Sequence, residues 1–267
     1  MPEPETKPQP EVPKWATDLF KGFLDHQRDL ARVLHLSVSG ISMLRGRHEA
    51  IKVLSEVDEE STVTEKELED AAKERDLAQR EVDNGFPLLY EQATVALWSS
   101  LESLVRSFAA RWLAHRPDSW QAKQVKKLRV RLGDYEALTP ADRCLWVVDL
   151  LDQEVGGPLR NGVSRFESIL QPFGLDGPLT EETQKNLYEL SQLRHAIVHR
   201  RGEADRRLLE ACPWLPLKSG DRVRITHKMW DRYNGAVAEY VLELIQRVRV
   251  IFGLCRYEPK ATGDTTP

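Results

Sequence analysis

The sequence predicts an all-α protein, a helical bundle with an N-terminal helical hairpin and one short strand-like segment. Three observations carry that expectation. Apolar residues recur at three- and four-residue spacing through most of the chain. Helix-opening signals such as Thr64 with Glu67, Thr139-Pro140 and Thr180 stand just before those stretches. Strand-like alternation is confined to residues 219–226.

Residues 1–14 are rich in Pro and poor in apolar side chains, and are expected to be a disordered tail. From Trp15 a helical period runs through Leu19, Phe23, Leu30, Leu34, Ile41, Leu44, Ile51 and Leu54, with Gly40 and Gly46 as weak points open to a break or kink. Asp58-Glu59-Glu60-Ser61 reads as an acidic turn. The Thr64/Glu67 capping box then opens a second helix that ends at Asn84-Gly85. Residues 15–84 thus form a hairpin, read as a scaffold or a dimerisation arm.

Residues 85–257 are expected to form the bundle. Pro87 opens a helix to about residue 115 that is apolar on most sides and therefore central. A basic stretch follows, with Lys123, Lys126, Lys127, Arg129 and Arg131 and no acid between them. It suits either phosphate contact or a solvated helix face. Further helices are expected from Pro140 to Gly156-Gly157-Pro158, over 161–171, from Thr180 to Gly202, over 203–210 and over 227–253. Residues 258–267 read as a free tail.

The composition, with 41% hydrophobic and 30% charged residues in 267, is that of a globular protein with a charge-rich surface. No apolar run approaches a membrane span, and Met1 to Pro8 is unlike a signal peptide, so no membrane partner and a cytoplasmic location are expected. Three scattered cysteines, Cys144, Cys212 and Cys255, fit buried thiols rather than a disulfide framework. A net charge of -4 excludes coating of nucleic acid by bulk charge, leaving local patches as the only basis for such binding.

The most informative stretch runs from Leu187 to Gly202. Leu187, Leu190, Ile197 and Val198 recur at helical spacing, and Gly202 is placed to end the helix. Arg194 falls on the same stripe, where a guanidinium needs partners because it cannot lose its charge. Glu102 is hemmed in by Val95, Trp98, Val105 and Ala109 on the central helix. A Glu102–Arg194 pair between helices is therefore expected, the alternative being that Glu102 reaches solvent. His195 and His199 are four apart and share a face with Tyr188, a possible hydrogen-bond partner. Arg200 and Arg201 follow.

An Arg, a polar residue, three variable residues and a His near the end of a helix resemble the signature of the HEPN superfamily, here Arg194, His195 and His199. The resemblance implies a metal-independent endoribonuclease that leaves a 2′,3′-cyclic phosphate and a 5′-OH at a cleft shared by a homodimer. His199 would be the main acid/base residue, Arg194 the phosphate ligand and His195 a support for either. Arg200 and Arg201 join the basic stretch as candidate RNA contacts. No cofactor is implied. Members of the family are often toxins or antiviral defence effectors, some held silent by a neutralising partner protein, and some lack catalysis.

Two other readings stay open. Arg and His are favoured at helix C-termini for dipole and capping reasons, which accounts for His199, Arg200 and Arg201 but not for Arg194. The chain would then be a non-catalytic dimerisation, RNA-binding or adaptor module. The His195-x3-His199 spacing also suits a metal pair, but the Glu of a His-Glu-x-x-His site is absent and Arg194 would repel a cation.

Overall fold

A computed structural model describes residues 11–57, 62–155 and 162–257. The expected turn at 58–61, the helix end at Gly156-Gly157-Pro158, most of the N-terminal tail and the tail at 258–267 lie outside the described residues. The described chain is all-α. Its helices are α1 (Lys14–Val57), α2 (Glu65–Asn84), α3 (Pro87–His115), α4 (Lys123–Lys127), α5 (Leu132–Glu136), α6 (Pro140–Val155), α7 (Val163–Leu170), α8 (Glu181–His199), α9 (Arg206–Ala211) and α10 (His227–Ile251).

Helix α1 runs unbroken through Gly40 and Gly46. Each glycine costs a helix about 1 kcal/mol relative to alanine, which is too little to interrupt 44 residues of continuous hydrogen bonding. The strand-like segment does not become a strand. Residues 219–226 make one isolated antiparallel bridge, Arg222 to Glu203. A strand needs a partner of its own length, and here the partner is the tight turn after α8. Val223 N–H donates to Gly202 O at 2.7 Å and Ala204 N–H donates to Asp221 O at 2.8 Å.

The helices are grouped into two compact units. One comprises the described residues up to Phe23, Leu101–Tyr188 and those from Ala236 on; the other comprises Leu24–Ser100 and Glu189–Gly235. Helices α1, α3, α8 and α10 contribute residues to both.

In the first unit Phe108 is fully buried between Trp15 and Phe20, at ring distances of 5.9 and 5.2 Å. Buried charges here are answered locally. Arg247 on α10 is almost fully enclosed and donates to Glu167 at 2.9 Å, Leu175 O at 3.1 Å and Gly177 O at 3.0 Å. Gly177 lies so close that a Cβ there would sit 2.9 Å from Arg247 Nε. The expected partner of Glu102 is corrected by this unit: Glu102 accepts from Arg165 of α7 at 3.3 Å, and Arg165 also pairs with the buried Asp152. The carboxylate needed a cation, as the sequence suggested, but a short helix supplies it in place of Arg194.

In the second unit the capping box forms as expected. Glu67 N–H donates to Thr64 Oγ1 at 3.3 Å, Thr64 N–H donates to Glu67 Oε2 at 2.8 Å, and Gly85 closes α2 at φ +73°. The core of this unit draws on Leu34, Ala71, Ala78, Tyr90, Leu97, Leu190, Leu193, Ala196, Trp230 and Tyr233.

Replacing Arg247 by Leu strands the Glu167 carboxylate and the carbonyls of Leu175 and Gly177. Because a buried pair broken on one side costs about 3 kcal/mol, denaturant unfolding of R247L is expected to show a loss of that size, mainly as a lower midpoint.

Candidate functional site

The motif residues lie in the second unit, on the last two turns of α8. Thr180 opens this helix by accepting from Thr183 N–H at 3.1 Å. Arg200 N–H and Gly202 N–H both donate to Ala196 O, at 2.9 and 3.1 Å, which satisfies that carbonyl at the helix end. Two consecutive residues, Arg201 at φ +57° and Gly202 at φ +74°, take the left-handed conformation there. The turn is then held by Arg222, whose guanidinium would lie 3.7 Å from a Cβ placed on Gly202 and donates to the buried Glu91 of α3 at 3.1 Å.

The buried stripe of the helix is not quite the expected one. Leu190, Leu193 and Ala196 are enclosed, while Ile197 is half-buried and Val198 is exposed. Arg194 is half-buried next to this stripe, and its Nε is enclosed with no hydrogen-bond partner among the described residues. His195 is half-buried and His199 exposed, and their rings meet at a centroid distance of 4.8 Å and an angle of 47°. The structure therefore brings the two imidazoles together and leaves one of them open to solvent.

Charge around the pair is mostly positive. The pKa of His195 is lowered, first by burial, then by His199 and Arg200, with Arg207 adding and Asp205 opposing. Asp205 caps α9 by accepting from Leu208 N–H at 2.9 Å and pairs with Arg200 at 3.2 Å, so its countercharge is largely spoken for. An imidazole held below its ordinary range is neutral at physiological pH and is ready to accept a proton. Asp205 and Arg207 were not legible as part of this group, because they come from a separate helix brought back by the turn at Gly202.

The remaining expected residues are placed elsewhere. Tyr188 and Glu102 belong to the first unit, Tyr188 half-buried and Glu102 held by Arg165. Lys123, Lys126, Lys127, Arg129 and Arg131 also belong to the first unit, on α4 and the segment after it. All five are exposed, and none makes an ion pair among the described residues. Cys144 and Cys212 are buried thiols, but Cys255 is exposed. Among the described residues no group of three or more His, Cys, Asp or Glu converges as a metal-ligand set.

One polar cluster escaped the sequence reading. Glu189, five residues before Arg194, has no exposed surface. It accepts from Trp214 Nε1, from Arg232 and from the Tyr233 hydroxyl. Burial and the Glu189 charge push the Tyr233 phenol far up, so it stays protonated as a donor. The cluster borders a cavity of about 240 Å³ also lined by Leu193, Val223 and Met229. The signal was present: Glu189 sits four before Leu193 and seven before Ala196, the same argument that drew attention to Glu102.

In an NMR titration the His195 ring is expected to titrate below the ordinary histidine range, and to move back toward it in His199→Gln, which removes one of the like charges. The sign for stability follows: with the folded pKa lowered, the unfolded chain binds the proton first, so this residue's contribution diminishes as pH falls below about 6.5. No protein-family model, curated protein or solved structure matches this chain.

Proposed function

We propose that the second unit carries a metal-independent endoribonuclease site of the HEPN kind, with Arg194, His195 and His199 as its working groups. The observation that supports this reading best is the pair of contacting imidazoles, one half-buried and held neutral and the other in solvent, on the same helix as an arginine, one residue before the first of them in the chain, whose Nε has no hydrogen-bond partner among the described residues.

RNA brings its own nucleophile. A neutral imidazole takes the proton of the ribose 2′-OH, the 2′ oxygen attacks phosphorus, and the 5′ oxygen leaves with a proton from an acid. The products are a 2′,3′-cyclic phosphate and a 5′-OH. His199, exposed at the helix end, is the main acid/base residue and His195 its partner. Arg194 holds the phosphate, using a fork of donors suited to its oxygens. Arg200 and Arg201 extend the positive surface along the turn, and the five cations of residues 123–131 form a second phosphate-binding patch. A homodimer sharing one cleft, a toxin or defence role, and a neutralising partner protein belong to the same proposal by resemblance.

The purified protein is expected to cleave RNA in the presence of EDTA and to leave cyclic phosphate ends, measured on a labelled oligonucleotide. His199→Ala and Arg194→Ala should each lower the rate by at least about 100-fold, the ordinary contribution of positioned acid/base groups. Cleavage that needs a divalent cation, or that survives both substitutions, overturns the enzyme reading. RNA that is bound but left intact favours the non-catalytic module. If residues 123–131 contact phosphates, changing Lys126 and Lys127 to Gln should weaken binding and reduce the salt slope by about 1.4 for single-stranded RNA.

A further inference from the structure

Helix α1 carries on its outer side a pattern whose apolar members are left exposed. From Val33 to Val57 the exposed positions 33, 36, 40, 43, 47, 50, 54 and 57 alternate by three and four residues without a break. That is the a and d spacing of a coiled-coil seam. Val33, Leu36, Met43, Leu54 and Val57 on this seam are 61, 61, 78, 63 and 77% exposed. Helix α2 does not cover them, because it lies against another face of α1, where Ile41 and Leu44 line a cleft with Leu77 and Ala78.

The seam is self-complementary when reversed. Turned about an axis beside Arg45, Val33 meets Val57, Leu36 meets Leu54, Gly40 meets Ala50, and Met43 meets Arg47. Each of these layers pairs an a with a d position, as antiparallel coiled coils do. The smallest residues fall together and let the backbones approach, while Met43 lies along the stem of Arg47, whose charge is already paired with Glu74 of α2. The flanking positions, Ser37, Ser39, Leu44, Gly46, Ile51 and Val53, place no like charges against each other. A parallel pairing would instead set Arg47 against its own copy.

We infer that α1 is a homodimerisation seam, joined to a second copy of this chain as an antiparallel coiled coil centred on Arg45. The seam is about 36 Å long at 1.5 Å per residue. Its apolar side chains, with Val53 beside them, leave roughly 700 Å² in water on each copy, close to the ~800 Å² per partner of stable interfaces. The steady seven-residue repeat gives the pair a left-handed wrap. This assignment goes beyond the ribonuclease reading and does not rest on it, since none of the seam residues takes part in that chemistry.

The test uses the full chain with the exposed Cys255 changed to Ser. Light scattering at micromolar concentration is expected to give an even number of chains, and Met43→Glu with Leu54→Glu should halve that mass while far-ultraviolet circular dichroism keeps its helical signal. Register is read by a short bis-maleimide: L36C mixed with L54C should cross-link between copies, and either variant alone should not. A wild-type mass of one chain, or a mass unchanged by the two glutamates, overturns the seam. Efficient cross-linking of L36C alone overturns the antiparallel register. RNA cleavage measured on the same variants reports separately on the motif, so the two proposals fail independently.

Discussion

A fully buried carboxylate on α8 sets the terms for the second unit. Glu189 cannot reach water, so its three donors, Trp214, Arg232 and Tyr233, have to stay where they are. Rotating α8 by even part of a turn would strand a desolvated charge, a far larger penalty than any single apolar contact on the helix. That constraint fixes the angle at which every later residue of the helix emerges. His195 and His199, six and ten positions on, come out about 120° and 80° away from Glu189, both on the same side of the helix and about 40° from each other. The two imidazoles thus meet at the edge of the unit rather than inside it because of a group that takes no part in the proposed chemistry.

The first unit obeys the same rule with different residues. Arg247 gathers Glu167 and the carbonyls of the turn around Gly177, and Arg165 joins Asp152 to Glu102. In each case a long basic side chain reaches a carboxylate on another helix and fixes their relation. Arg194 stands apart from this pattern. It is half-buried beside an apolar stripe, yet its Nε has no acceptor among the described residues. The Nε of Arg247 is likewise without a hydrogen-bond partner among the described residues, but the rest of that guanidinium is held by Glu167 and the carbonyls of Leu175 and Gly177.

Much of the architecture could be read from local chemistry. The capping box at Thr64 and Glu67, the proline at the start of α3 and the threonine before α8 each act over three or four residues, and each helix begins where these signals stand. Neighbours distant in sequence are not encoded in such local signals. Glu102 was correctly seen to need a cation, but nothing along the chain singles out Arg165 over Arg194, because both are arginines on helices of unknown rotation. The stretch 219–226 alternates like a strand, yet strand formation depends on a partner, and only the turn after α8 is there to meet it. Around the motif, the helical spacing of His195 and His199 was enough to place them together, whereas Arg207 and Asp205 reach His195 only through the chain reversal at Gly202.

That reversal has a consequence of its own. Arg201 holds a left-handed backbone angle of +57°, which costs a residue with a side chain roughly 1 kcal/mol more than glycine. Geometry would be better served by glycine at this spot, and electrostatics by the guanidinium that occupies it. A single position at the helix terminus therefore sets thermal robustness against positive potential, so a form of this chain tuned for heat would be drawn toward losing the charge there first.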